Sequence, residues 1–333
     1  MEPVRVESQE IYFRASIGVA VFPRDGRDVE TMIRHAGVAM YVAKRAKTGM
    51  ALYDPKQDEH SRSRLSLINE LRQGIEHDHL LLRWQPQEEL ATGRAGSAEA
   101  LVRWQHPKHG LIMPDQFVKL AEQTGLIAST TEWVLKAALR QCRDWRRRDI
   151  HLKVAVNISA LNLYVPGFVD TVGRALSESA LPPNSLILEL TESAVMEDPK
   201  RSLGTLVSLR DMGITISIDD YGTGYSSLAY LKRLPVGEIK IDKSFVREMA
   251  SDEDYATIVK STIELGHSLG LRVVAEGVED KQTRDLLAGL GCDSAQGYLI
   301  SPPISAEELD RWFEARPERT AGTVASARAP SRE

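Results

Sequence analysis

The chain has 333 residues, of which 42% are hydrophobic and 27% are charged, which is typical of a soluble globular protein with one large core. A formal net charge of −5 excludes the broad basic surface that sequence-independent binding to DNA or RNA needs, so no large nucleic acid is an expected partner. Two widely spaced cysteines, the lack of a signal-peptide pattern and the lack of a membrane-spanning apolar run predict a cytoplasmic chain with no membrane segment.

The first 54 residues predict a small segment of strands and one helix. Apolar residues alternate between Tyr12 and Phe22, which is typical of a strand. The stretch 28–47 places its apolar residues on one helical face, and Ala51–Tyr53 predicts a short closing strand. About 50 residues is small for an independent domain.

Two further segments flank the main part of the chain. Residues 55–75 contain many charged residues and a helical apolar spacing, and they predict a connecting helix. Residues 317–333 are rich in Ala, Arg, Ser and Pro without apolar periodicity, and they predict a disordered tail. The main domain is therefore expected over residues 65–316.

This main domain contains eight strand-like apolar runs, most of them separated by helical patterns. The runs are Leu80–Pro86, Ala98–Trp104, Lys153–Ser159, Leu186–Glu192, Thr215–Asp220, Glu238–Asp242, Arg272–Glu279 and Ser294–Ile300. Eight strands that alternate with helices over about 250 residues predict an α/β fold, a (β/α)8 barrel. Residues 88–97 show no helical pattern, so the first connection is predicted to be a hairpin and the barrel to be modified.

Polar side chains stand in or just after seven of these runs. They are Glu99, Asn157, Glu189, Glu192, Asp219, Asp220, Lys240, Asp242, Glu276 and Gln296. A single Asp or Glu at a strand end is as readily a turn residue or a helix cap. Seven coincident strand ends favour a functional site instead, because barrel enzymes build their sites where the strand ends converge.

The carboxylates of this set need compensating positive charge. They are Glu99, Glu189, Asp219, Asp220 and Glu276, and Lys240 supplies one unit. Oxygen ligands without His or Cys favour Mg²⁺ or Mn²⁺ over zinc. The adjacent Asp219 and Asp220 are suited to hold two ions about 4 Å apart, an arrangement that activates water for phosphodiester hydrolysis. The pattern predicts a metal-dependent phosphoester hydrolase.

From about residue 65 to 315 these motifs resemble those of EAL domains, named for Glu99-Ala100-Leu101. The other matching motifs are Trp84-Gln85-Pro86, Val156–Ser159, Glu189–Glu192, Asp219–Ser227, Lys240–Asp242, Ala275–Glu279 and Gln296–Leu299. The resemblance implies a modified (β/α)8 barrel with one antiparallel strand. It also implies hydrolysis of cyclic di-GMP (c-di-GMP) to linear pGpG, two Mg²⁺ or Mn²⁺ ions per active site, and a homodimer.

The resemblance also implies a role for each matching residue. The implied metal ligands are Glu99, Asn157, Glu189, Asp219 and Asp220. The implied catalytic residues are Glu276, Lys240 and Gln296, with Glu276 either the base or a ligand through water. The implied substrate contacts are Gln85, Leu101, Arg103, Asp242 and Glu279, while Glu192 is expected to brace loop 220–227 and couple it to the dimer interface.

The family also contains silent domains that bind c-di-GMP without cleaving it. This chain retains the family's metal-ligand motifs, which favours the enzyme over such a receptor. A general nuclease is disfavoured because the basic surface is absent and the Glu99-x-Leu101-x-Arg103 motif is intact.

Four residues depart from the family pattern. Trp84 replaces a Tyr and is expected to keep a stacking aromatic, and Gly237 stands where Asp is frequent. Ile300 and Pro302 replace aromatic and basic residues, which is expected to weaken nucleotide binding.

The first 53 residues resemble the C-terminal part of a GGDEF domain, through Ala15–Ala20 and Ala39–Lys44. The signature turn and the nucleotide-binding half of that domain are absent from the sequence. Cyclase activity is therefore not expected, and the chain is expected to be a fragment of a tandem GGDEF-EAL protein.

Overall fold

A computed structural model of the chain describes residues 4–6, 9–11, 15–46, 48–224 and 228–315. They fall into two compact units, which comprise Met1–Gln73 and Gly74–Glu333. The predicted tail, residues 12–14 of the predicted first strand and residues 225–227 of the predicted loop lie outside the described residues. None of the helices in the described part is both long and apolar enough to cross a bilayer.

The first unit contains two small sheets, one long helix and most of a second. Strands β1 (Val4–Val6) and β2 (Gln9–Ile11) pair antiparallel. Strands β3 (Ile17–Val19) and β4 (Met50–Leu52) pair in parallel, and helix α1 (Val29–Ala46) lies between them in the chain. Strand β3 ends at Val19 rather than at the predicted Phe22, because the backbone N–H and carbonyl of Val21 both form hydrogen bonds within a turn. The N–H of Val21 donates to the Asp25 carboxylate, and its carbonyl accepts from the Asp25 N–H. Helix α2 (Pro55–Glu76) confirms the helix predicted over residues 55–75.

The second unit is built on a closed eight-stranded barrel. Its strands and one added strand, β7, are β5 (Leu80–Glu89), β6 (Ala95–His106), β7 (Gly110–Ile112), β8 (Lys153–Asn157), β9 (Leu186–Thr191), β10 (Thr215–Tyr221), β11 (Glu238–Ile241), β12 (Arg272–Ala275) and β13 (Ser294–Ala295). All eight predicted strands are present, but the last two are shorter than predicted: β12 ends at Ala275 rather than Glu279, and β13 ends at Ala295 rather than Ile300. Strand β7, which the sequence analysis missed, pairs with β6 at the edge of the sheet.

Strand β5 is the antiparallel member of the barrel. It pairs antiparallel with β6 on one side and with β13 on the other, while the remaining barrel strands pair in parallel. The predicted hairpin between the first two runs is therefore confirmed. Its register sets Gln85 opposite Glu99 and Gln87 opposite Ser97. Successive strand residues face opposite sides of a sheet, so these four polar residues share the inner face of the barrel.

Helices surround the barrel. They are α3 (Pro114–Thr124), α4 (Ile127–Arg146), α5 (Ala160–Leu163), α6 (Phe168–Ser179), α7 (Glu192–Glu197), α8 (Pro199–Asp211), α9 (Leu228–Leu231), α10 (Lys243–Glu248), α11 (Glu253–Ser268), α12 (Lys281–Gly289) and α13 (Ala306–Glu314), with a 3₁₀ turn at Pro183–Ser185. The main core lies between these helices and the outer faces of the strands, and Leu186, Leu188 and Leu190 of β9 are buried in it. Each such side chain contributes about 1.5–3 kcal/mol by burial.

Candidate functional site

The site lies at the carboxyl ends of the parallel strands. The alternation that sends Leu188 and Leu190 outward turns Glu189 into the barrel, and Lys240 lies between the outward Ile239 and Ile241 in the same way. Parallel strands end at the same edge of a sheet, so side chains that are distant in sequence meet at this mouth.

The ammonium of Lys240 is the centre of the cluster. Its side chain is completely buried. Four carboxylate oxygens surround its Nζ atom, namely Glu276 Oε1 at 2.7 Å, Glu189 Oε2 at 3.0 Å, Asp219 Oδ1 at 3.3 Å and Glu99 Oε2 at 3.5 Å. The sequence analysis predicted these five residues to converge, and the structure brings them together.

Four carboxylates around one ammonium shift each other's pKa. Burial by itself would lower the pKa of Lys240, but the surrounding carboxylates raise it well above its ordinary value, so Lys240 stays protonated. Burial raises the pKa of Glu276 to about 7 and the pKa of Glu189 well above its usual range, against the opposing effect of Lys240. The cluster therefore has more negative charge than Lys240 alone can balance.

The oxygen donors of this cluster fit divalent cations. Asp219, Asp220 and Glu276 each offer one carboxylate oxygen, and these atoms lie within 4.8 Å of one another. Glu189 Oε1 is buried without a hydrogen-bond partner among the described residues, an arrangement that a bound cation would relieve. Carboxylate donors suit hard divalent ions such as Mg²⁺ and Mn²⁺.

A chain of amide side chains adjoins the carboxylates. Asn157 Nδ2 donates to Glu99 Oε1 at 2.6 Å, and Gln296 Nε2 donates to Glu99 Oε2 at 2.6 Å and to Gln85 Oε1 at 2.9 Å. Gln87 Nε2 donates to Gln296 Oε1 at 2.8 Å. The sequence analysis missed Gln87, because polar residues at positions 85 and 87 are equally typical of the exposed face of a hairpin.

A polar cleft of about 290 Å³ opens beside these groups. Gln85, Glu99, Asp219, Glu276, Glu279 and Gln296 line it, together with Lys243, Arg247 and Tyr298. Glu279 forms an ion pair with Arg247 at its rim. The cleft therefore brings cationic and aromatic side chains next to the carboxylates.

Three predicted substrate contacts have other partners in the structure. Asp242 caps helix α10, because its Oδ1 accepts from the Ser244 N–H at 2.9 Å. The Arg103 guanidinium donates to the carbonyl of Val102 at 2.9 Å. Leu101 lines a separate, mainly apolar cavity of about 540 Å³.

Glu192 contacts the loop that it was expected to brace. Its carboxylate is buried and accepts from the Gly222 N–H at 2.8 Å. A Cβ atom at Gly224 would lie 2.7 Å from Glu192 Oε1, so the loop backbone passes close to this side chain. The contact is thus present over the described part of the loop.

The residues that depart from the family pattern differ in their burial. Trp84 is buried and packs edge-on against Trp145 at 4.6 Å between ring centroids, which corrects the expectation of an aromatic available for stacking. Ile300 is also buried in the main core, and its expected effect on nucleotide binding stays a prediction. Pro302 is exposed, and Gly237 lies just before the amino end of β11.

Comparisons with known proteins agree with this geometry. The EAL domain model matches residues 68–303, and the model of the diguanylate cyclase GGDEF domain matches residues 1–50. The bifunctional diguanylate cyclase/cyclic di-GMP phosphodiesterase MucR of Pseudomonas aeruginosa is 45% identical over 310 residues, which are 92% of this chain and 45% of MucR. The cyclic di-GMP phosphodiesterase PdeR of Escherichia coli is 36% identical over 94% of this chain and 47% of PdeR.

Solved structures show the same likeness. The phosphodiesterase PaMucR in complex with c-di-GMP is 49% identical, with a TM-score of 0.70 over 73% of this chain and 99% of that one. The EAL domain of Mycobacterium smegmatis DcpA is 36% identical, with a TM-score of 0.62 over 71% of this chain and 98% of that one. The chain spans about half the length of the curated relatives named above.

Proposed function

Because the chain belongs to the EAL domain family, we propose that it hydrolyses c-di-GMP to linear pGpG with two Mg²⁺ or Mn²⁺ ions. The observation that carries this proposal is the ring of four carboxylates around the buried Lys240 ammonium at the barrel mouth. The names of MucR, PdeR and PaMucR support c-di-GMP as the substrate.

The metal ligands in this proposal are side-chain oxygens at the barrel mouth. Glu99, Asn157, Glu189 and Asp219 would hold one ion, and Asp219 and Asp220 would hold the second. The bound ions would supply positive charge that lowers the pKa of water and stabilises the charge on the phosphate oxygens. Asp220 has a left-handed backbone (φ 55°) and shares a carboxylate cluster with Asp219 and Glu276.

Proton transfer is assigned to the groups around Glu276. Its pKa of about 7 suits a general base near neutral pH, where both protonation states are accessible. The Lys240 ammonium, 2.7 Å away, holds the Glu276 carboxylate toward the other acids. In the reaction a water oxygen bonds to phosphorus, one ester P–O bond breaks, and a proton passes to the ribose oxygen that leaves.

Substrate binding is assigned to the cleft and its rim. Gln85 and Glu279 line the cleft, and the proposal gives them, with Leu101, Arg103 and Asp242, the contacts to the dinucleotide. The cations Lys243 and Arg247 at the same cleft suit the two phosphates of c-di-GMP. Gln296 is proposed to orient the attacking water, and Glu192 to hold the loop that begins at Asp220.

The test is incubation of the purified chain with c-di-GMP and Mn²⁺ or Mg²⁺, with and without EDTA, followed by chromatography of the products. Metal-dependent pGpG is the expected result. The Asp211→Asn variant is a matched control, because Asp211 is an exposed carboxylate at the end of α8. Saturable binding of c-di-GMP without pGpG would instead make the domain a receptor.

Several sequence predictions belong with this proposal. A homodimer, a cytoplasmic location and the domain boundaries at residues 54, 75 and 316 stay predictions. Size-exclusion chromatography with light scattering tests the dimer, for which a mass near 74 kDa, twice the 37.0 kDa chain, is expected.

A further inference from the structure

The buried residue Gln87 forms its side-chain hydrogen bonds with Gln296 and Ser97 rather than with a carboxylate of the described residues, yet it lies directly beneath the site. Strands β5 and β6 place two polar pairs on the inner face of the barrel, Gln85 opposite Glu99 and Gln87 opposite Ser97. The second pair lies one step deeper, because Ser97 precedes Glu99 along β6. Gln296 forms hydrogen bonds with both pairs, because it donates to Gln85 and Glu99 and accepts from Gln87.

Hydrogen bonds to Glu99 fix the orientation of the whole chain of amides. The Glu99 carboxylate accepts from Gln296 Nε2 on one oxygen and from Asn157 Nδ2 on the other, each at 2.6 Å. The NH₂ end of Gln296 must therefore face Glu99, and its carbonyl oxygen must face Gln87. Gln87 in turn presents its NH₂ group to Gln296 and its oxygen to the Ser97 hydroxyl, at 2.6 Å.

Gln87 is the group that satisfies the carbonyl oxygen of Gln296. Only 1% of Gln87 and 4% of Gln296 is exposed, so solvent has little access to replace a lost donor. A buried carbonyl without a donor is costly, and the Gln296 amide would turn away from Glu99 to find another. Glu99 would then lose its closest amide donor on that side, a 2.6 Å contact.

We propose that Gln87 is a positioning residue, which acts through Gln296 to hold the Glu99 carboxylate in the orientation that binds metal. This inference rests on the proposed function, because it treats Glu99 as a metal ligand. Partners that orient metal ligands typically change metal affinity or activity about 10- to 100-fold when they are replaced.

The experiment is a calorimetric titration of the EDTA-stripped chain with Mn²⁺ alone, together with kcat for c-di-GMP. Gln87→Met keeps the length of the side chain and removes the donor, and it is expected to weaken Mn²⁺ binding and lower kcat at least about 10-fold. The matched control is Gln105→Met at an exposed glutamine of strand β6, for which no change is expected.

A double-mutant cycle separates positioning through Gln296 from a general effect on packing. If Gln87 acts through Gln296, Gln87→Met causes no further loss of Mn²⁺ affinity in a Gln296→Met background. Losses that multiply in the double variant would overturn the inference. If Gln87→Met fails to fold, Gln87→Leu replaces it in the cycle, because leucine is also apolar, has no donor and is shorter.

The controls also separate this inference from the proposed function. If the wild type binds Mn²⁺ and turns over c-di-GMP, and Gln87→Met or Gln87→Leu retains both within about twofold, the role of Gln87 alone would be overturned. A wild-type chain that neither binds Mn²⁺ nor yields pGpG would overturn the proposed function and this inference with it.

Discussion

Replacement of Lys240 by Met is expected to destabilise the metal-free protein strongly. Methionine has nearly the same length but no charge, so Lys240→Met leaves four carboxylates without the ammonium that lies 2.7–3.5 Å from them. Removal of one partner from a buried ion pair typically costs about 3–5 kcal/mol. For a domain of this size that cost corresponds to a fall in Tm of about 6–20 °C.

The assay is thermal unfolding followed by circular dichroism at pH 8 in EDTA. The matched control is Lys260→Met, because Lys260 is largely exposed and lies 4.0 Å from Glu264, a surface pair worth at most about 1 kcal/mol. Added Mn²⁺ is expected to narrow the deficit of Lys240→Met, since cations can neutralise the released carboxylates. A Tm of Lys240→Met in EDTA equal to that of Lys260→Met would refute the claim that the Lys240 ammonium stabilises the four carboxylates around it.

Three other predictions follow from the same carboxylates and the core beside them. Glu99→Ala, Asp219→Ala and Glu276→Ala are each expected to abolish pGpG formation and leave the circular dichroism spectrum unchanged; wild-type turnover in any of them would contradict its assignment. An acid with a raised pKa binds more protons in the folded state than in the unfolded state, so the free energy of unfolding of the metal-free chain should fall by up to a few kcal/mol as pH rises from 4.5 through about 7, measured by urea unfolding. Glu99, whose pKa is lowered, titrates below this window. A free energy of unfolding that rises in the window would count against the raised pKa of Glu276. Ile300→Tyr is expected to cost about 1–3 kcal/mol by overpacking and to leave the affinity for c-di-GMP unimproved, whereas tighter binding by calorimetry would show that residue 300 faces the ligand.

The sequence predicted the barrel because its strands carry strong local signals. The run Leu186–Leu190 is apolar except where Glu189 enters the site, and Gly213, between helix α8 and strand β10, has φ +93°, a backbone that favours glycine. Convergence of strand ends then predicted the cluster of acids around Lys240. Strand β7 was missed because three residues carry too little periodicity to distinguish a strand from a loop.

Side-chain direction accounts for the errors near the site. Trp84 is next to Gln85, and neighbours on a strand face opposite sides, so a Gln85 that faces into the barrel sends Trp84 out toward helix α4. Gln87 was missed because its inward direction has no distinct sequence pattern. A polar residue inside a barrel looks the same in sequence as one on the exposed face of a hairpin, and only the register with Ser97 separates the two.

The most direct test of the account is restoration of activity by metal. The chain is stripped with EDTA, Mn²⁺ is added back in steps, and pGpG is followed by chromatography, with Asp219→Asn carried through the same steps. The account predicts no product before the addition, recovery with Mn²⁺ in the wild type, and none in Asp219→Asn. Full activity in EDTA, or equal recovery of activity in the wild type and in Asp219→Asn, would contradict the claim that the carboxylates around Lys240 hold the metal needed to cleave c-di-GMP.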